Sequence, residues 1–320
     1  MRPFHRLAIA AAVLTYLLII MGGIVRVTGS GLGCGLSNDW PLCNGALLPS
    51  AHPTAIIEFA HRWIAALATL LVLALAVAAW ATQRRRRRLL AASSAAAVLF
   101  ALQVALGALT VKYRLPGGVV MIHLANALLL LGVLVYIARA SAPSGGAAVR
   151  AGLPLGLRRL AAVAAGGTYL LALSGALVVE RGAGAACSAW PLCGGGFQLP
   201  SGDLAVINVV HRLVAAAVVL LVATTMGLIL RRRPEAPGLR RAARLVNALL
   251  LLQIAAGAVA AVWQLPAAVR ALHIALASAL WALVVLVAVS VRASMAPSVE
   301  RADGPVQREP LGVPVGAASS

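Results

Sequence analysis

Charge is scarce in this sequence, aromatic residues are scarcer, and no stretch of it alternates. Only 11% of the 320 residues are charged against 62% that are hydrophobic, which excludes an ordinary soluble domain and calls for a lipid environment. With 4% aromatics and long Ala/Leu/Val runs in place of short alternating strands, a transmembrane β-barrel is excluded as well. Four cysteines are present, with eight residues between Cys34 and Cys43 and five between Cys187 and Cys193. Neither spacing is that of a structural zinc site. The net charge of +19 invites a nucleic-acid reading. The basic residues lie in short clusters between apolar runs, however, where they read as an orientation signal and not as a nucleic-acid interface.

What is there instead is a series of eight apolar runs, at roughly 7–25, 56–80, 89–111, 118–138, 160–179, 204–230, 245–263 and 267–291. Each is long enough to cross a hydrocarbon core of about 30 Å. The first is long for a signal-peptide core and no A-x-A-like site follows it, so it reads as a membrane span. The fold class expected is therefore an all-α membrane protein. Of the 27 basic residues, 20 fall in the segments on one side, including Arg84 to Arg88 and the cluster Arg231 to Arg244. Cytoplasmic loops retain Lys and Arg, so both termini are expected in the cytoplasm.

The chain is duplicated. E-F-A-H-R, Glu58 to Arg62, returns as N-V-V-H-R, Asn208 to Arg212, so that His61 and Arg62 have counterparts in His211 and Arg212 150 residues later. His123 pairs with His273, Gln103 with Gln253, Gly107 with Gly257, and W-P-L-C at Trp40 to Cys43 with W-P-L-C at Trp190 to Cys193 at the same offset. Two tandem four-helix bundles are expected, over 1–140 and 158–292, joined by a Gly/Pro/Ser-rich cytoplasmic linker at 141–157 and followed by a polar, disordered tail at 293–320. Four spans per copy is an even number, so the copies enter the membrane in the same direction, related by a pseudo-two-fold axis along its normal.

Polar groups inside apolar spans are costly and mark function. His61, His123, His211 and His273 open spans 2, 4, 6 and 8 at one end of the membrane. A lone membrane histidine commonly bonds a neighbouring helix. Four in register across a duplication, as two pairs on facing helices, point instead to two heme sites, one per half. Glu58 lies three residues before His61, on nearly the same helical face, while Asn208 holds the matching place in the second half. A carboxylate there suits proton transfer, or simply a helix start. Arg62 and Arg212 suit heme propionates or the lipid interface. Gly22, Gly107, Gly175 and Gly257 permit close approach of a helix or a macrocycle. His5 and His52 do not repeat and are expected to be solvated. Each cysteine pair sits in one loop on the oxidising side, so a disulfide in each is expected, either structural or redox-active.

Taken together, the eight spans, G-S-G-L-G-C (Gly29 to Cys34), W-P-L-C, E-x-x-H-R and the later histidines, in that order, resemble the heme A synthase family of bacterial and mitochondrial membranes, over about residues 5 to 292. The resemblance implies an oxidoreductase of the bacterial plasma membrane that turns a methyl substituent of heme O into the formyl group of heme A for terminal oxidase assembly. It places heme O and heme A between His61 and His123 with Glu58 acting at the substrate, and a heme b cofactor on His211 and His273. Heme O would come from a heme O synthase and electrons would leave to an acceptor that the sequence does not identify. The rival readings are a diheme b-type electron-transfer cytochrome, against which the single carboxylate argues, and a transporter, which calls for polar residues at the midplane.

Overall fold

The computed structural model describes residues 2–36, 42–143, 154–194, 200–232, 236–263 and 266–293. Eight long helices make up nearly all of it: α1 (Arg2–Val27), α2 (Pro53–Thr82), α3 (Arg87–Lys112), α4 (Gly117–Ala140), α5 (Leu155–Glu180), α6 (Asp203–Arg232), α7 (Pro237–Val262) and α8 (Ala267–Ala293). All eight are long and apolar enough to cross a membrane, and among the described residues there is no β-strand. Trp40, Pro41, most of the expected linker and the tail lie outside the described residues.

Proline starts most of these helices. Pro53 and Pro237 occupy the first turns of α2 and α7, and α4, α5 and α8 directly follow Pro116, Pro154 and Pro266. Its fixed φ suits the first helical residue, and its missing N–H would be unpaired there in any case. Several helices begin earlier than hydropathy indicates: α1 at Arg2, α5 at Leu155 and α7 at Pro237. The added turns carry Arg2, Arg6, Arg158, Arg159 and Arg240, which belong at the membrane surface and hide helix from a scale that sees only the hydrocarbon. His5 is corrected by the same finding. It lies in the first turns of α1, half-buried, with Nδ1 2.9 Å from Ala138 O at the end of α4. His52 is exposed as expected.

In each half the helices close a ring: α1 packs on α2 and α4, and α3 completes it against both; α5 to α8 repeat the scheme. The halves meet through α4 on α8, α1 on α8 and α4 on α5, a set that exchange of the halves leaves unchanged. Corresponding tyrosines bond across the joint. Tyr16 Oη donates to Ala275 O (3.2 Å) and Tyr169 Oη to Ala125 O (3.1 Å). Trp281, 7% exposed, fills the centre and donates from Nε1 to Leu128 O at 2.8 Å. Each ring also has its own apolar filling, with Leu75, Leu134 and Ile137 in the first half and Val222, Ile229 and Val284 in the second. Both fillings lie toward the C-terminal ends of the histidine-bearing helices, and the histidines lie on the other side of them.

Candidate functional site

His61 and His211 are the ninth residues of α2 and α6, and His123 and His273 the seventh of α4 and α8. At about 1.5 Å per residue, each is roughly 9 to 12 Å along its helix. Each lies about two turns into its helix, close to the start of its span, where the sequence places it. His61 and His123 stand close enough to interact electrostatically, as do His211 and His273, so the structure brings together the pairs that the sequence repeat indicates.

Each imidazole is backed by a glycine on the preceding helix. A Cβ at Gly22, Gly107, Gly175 or Gly257 would lie 3.4, 3.3, 3.2 or 3.1 Å from Cε1 of His61, His123, His211 or His273, respectively. A methyl group would press on the ring at Gly107, Gly175 and Gly257 and come into contact with it at Gly22, which gives the four glycines a shared reason. Gly175 follows Gly22 by 153 residues, where the histidine helices keep an offset of 150. The difference arises in the shorter second cysteine loop.

The rings are held unequally. Ser174 Oγ lies 2.7 Å from His211 Nδ1; the corresponding position in α1 is Met21, and His61 Nδ1 is buried without a hydrogen-bond partner. Nδ1 of His123 and of His273 is likewise buried and unpartnered. Gln103 Nε2 and Gln253 Nε2 each sit 3.2 Å from Nε2 of the second histidine of their half. Neither Ser174 nor these glutamine contacts follow from sequence pattern, because one polar residue in an apolar helix has no periodicity to reveal its partner.

Between the histidines and the cysteine loops lies a clamp built differently in the two halves. Glu58, 3% exposed, accepts from the backbone N–H of Cys34 at 2.8 Å and pairs with Arg62 at 2.6 Å; Arg62 also donates to Leu42 O at 2.9 Å. These bonds tie α2 to both ends of the loop closed by Cys34 and Cys43, whose sulfurs are 2.02 Å apart. In the second half, Asn208 donates to Ala183 O (2.7 Å), and Arg212 donates to Ala189 O (2.6 Å), Pro191 O (3.0 Å) and Cys187 O (3.0 Å), around the loop closed by Cys187 and Cys193. The disulfides join the pairs expected. Both arginines are engaged with their loops. A further positioning feature is the turn after α3. Arg114 and Leu115 have φ of 57° and 62°, a left-handed pair without glycine, and Leu115 packs its side chain on Gly31 just before Cys34.

Among the described residues, no group of three or more His, Cys, Asp or Glu is placed to hold a bare metal ion. What the site offers is imidazoles in facing pairs, each half-buried with a glycine rather than a side chain at its back. That donor set fits a large, flat metal complex that imidazoles can ligate, and hence heme, which these four histidines would hold.

Comparison with known proteins accords with this. The family model described as cytochrome oxidase assembly protein matches residues 5–285. A heme A synthase of Symbiobacterium thermophilum is 33% identical over 290 residues, 88% of this chain and 93% of that protein. Another, of Geobacillus kaustophilus, is 30% identical over 278 residues, 84% of each. A protein of Thermus thermophilus described as protoheme IX farnesyltransferase is 32% identical over 303 residues, 90% of this chain but 48% of its own length. Matched along nearly its whole membrane-spanning body, the chain belongs to the cytochrome oxidase assembly protein family.

Proposed function

We propose that this chain is a heme A synthase, converting the methyl substituent of heme O into the formyl group of heme A, with His61 and His123 at the substrate and His211 and His273 around a resident heme b. The observation that carries the assignment is the asymmetry of the duplication. Both halves keep a histidine pair backed by glycines. Only the first has a carboxylate, Glu58, one turn before the first histidine of its pair, where the second has Asn208, and of the two first-position histidines only His211 is anchored through Nδ1, by Ser174. Such an anchor fixes tautomer and ring orientation and strengthens a ligand, which suits a cofactor that stays. An unanchored His61 suits a substrate that comes and goes.

Turning a methyl into a formyl group removes electrons and adds one oxygen atom; with water as the source of that oxygen, protons are released in number equal to the electrons. Heme b, when bound, supplies a one-electron redox centre. His61 and His123 fix the substrate's orientation. Among the described residues, Glu58 is the one carboxylate of the first half, and it is buried. Each of its oxygens accepts one hydrogen bond and has acceptor capacity left, so it can take up a proton or stabilise developing positive charge. Arg62 and the Cys34 loop hold that carboxylate in place and cover it from water.

The protein acts in a bacterial plasma membrane, with both termini cytoplasmic and the disulfide loops on the opposite, oxidising face. Exposed Arg84 to Arg88, at the turn from α2 into the start of α3, support that orientation. Heme O arrives from a heme O synthase, a partnership supported by the Thermus farnesyltransferase, which carries a stretch like this chain within its own length. Heme A passes to terminal oxidase assembly, and the electrons pass to a separate acceptor. The test is the heme O to heme A ratio in cells whose only copy is Glu58→Gln. Heme O should accumulate bound to the protein while heme A falls sharply, and a wild-type ratio would refute a chemical role for Glu58.

A further inference from the structure

The two glutamines that face the second histidines are alike in position and unlike in support. In the first half, Asn126 Nδ2 donates to Leu99 O at 2.9 Å and to Gln103 Oε1 at 2.7 Å. Leu99 O only accepts, so it fixes which way the Asn126 amide points. That amide in turn fixes Oε1 of Gln103, and the Gln103 NH2 is left facing His123 Nε2, 3.2 Å away. Nε2 must therefore be the acceptor. In the second half the position of Asn126 is taken by Leu276, and Gln253 Oε1 is buried with no hydrogen-bond partner. Gln253 faces His273 unsupported.

We infer that Asn126 and Gln103 form a built-in competitor for the ligating nitrogen of His123, which makes the first site one that releases its heme and leaves the second site to retain its own. This rests on the reading that His123 holds the iron of heme O and heme A. Nδ1 of His123 is enclosed by protein, which leaves Nε2 to ligate. Nε2 has one lone pair, so it either accepts from Gln103 or binds iron. A hydrogen bond made only in the unliganded state opposes loading and favours release. The Asn126 bond adds to it, because Gln103 cannot swing away without giving up Asn126 as well. A product must leave and a cofactor must stay, and the two halves differ in that sense.

The experiment is the equilibrium partition of heme A between the purified full-length protein and apomyoglobin, followed by the visible spectrum, with no turnover required. Asn126→Ala and Gln103→Leu should each shift the partition toward this protein by about 2- to 10-fold, the range one hydrogen bond commands, and the double variant should go no further than Gln103→Leu. Leu276→Asn, which gives Gln253 the missing partner, should shift heme b of the second site toward apomyoglobin by a similar factor. A purely structural role for Asn126 has the opposite sign, since loosened packing weakens retention. An unchanged or weakened hold on heme A in both first-site variants overturns the inference. If Asn126→Ala does not fold, Gln103→Leu and Leu276→Asn decide it. If His123→Ala binds heme A with an unaltered spectrum, the underlying site assignment fails instead.

Discussion

Removing the charge of Glu58 should cost stability as well as chemistry, by an amount that the pairing with Arg62 sets. The side chains of Glu58 and Arg62 are 4% and 11% exposed and 2.6 Å apart. Glu58→Gln leaves the guanidinium with only Leu42 O and turns an amide NH2 toward either Arg62 or the Cys34 N–H, both of which are donors. Breaking one partner out of a buried ion pair costs about 3–5 kcal/mol, whereas replacing both with apolar groups is often close to neutral. Glu58→Gln and Arg62→Met should therefore each destabilise by about 3 kcal/mol or more, and the double variant by far less than their sum, a coupling of about 2–3 kcal/mol. The assay is denaturant unfolding in detergent, with hydrogen exchange at the Cys34 loop locating the loss. Additive single effects, with coupling below about 0.5 kcal/mol, would refute the reasoning. The same variants separate clamp from chemistry: Arg62→Met keeps the carboxylate and should keep more heme A formation than Glu58→Gln.

Gly257→Leu should abolish heme b binding, because even a Cβ there lies 3.1 Å from His273 Cε1, whereas Gly227→Ala, in open space, should leave heme content unchanged; pigment extraction reads both. Arg114→Gly should stabilise the protein by about 1 kcal/mol in denaturant unfolding, since Arg114 is exposed at φ 57° and a left-handed non-glycine residue costs about 1–2 kcal/mol.

The fold was legible in the sequence because a membrane span is a one-dimensional signal: Leu7 to Val25 can be counted, and so can its successors. Helix ends were less so, since Arg158 and Arg240 belong to α5 and α7 yet read as loop on any hydropathy scale. The histidine pairs were legible through their common offset of 150, which needs no three-dimensional knowledge. The supports were not. The Tyr16 and Tyr169 bonds to the opposite half run at an offset of 153 for the donors and 150 for the acceptors, so no single alignment of the halves exposes them. Asn126 and Ser174 each look like an isolated polar residue in an apolar run, and only the packing of α3 on α4 and of α5 on α6 gives them partners. The left-handed turn at Arg114 and Leu115 is set by tertiary contact with Gly31 against local preference, which residue type alone does not signal.

The central claim is that the two histidine pairs hold different hemes, and the most direct measurement is the identity of extracted heme in single histidine variants of the purified protein. His211→Ala or His273→Ala should lose heme b while heme O and heme A remain with the first site, and His61→Ala or His123→Ala should lose heme O and heme A while heme b remains. Heme b content unchanged in His211→Ala and His273→Ala, or all hemes lost together from either pair in a protein that still folds, would contradict the account.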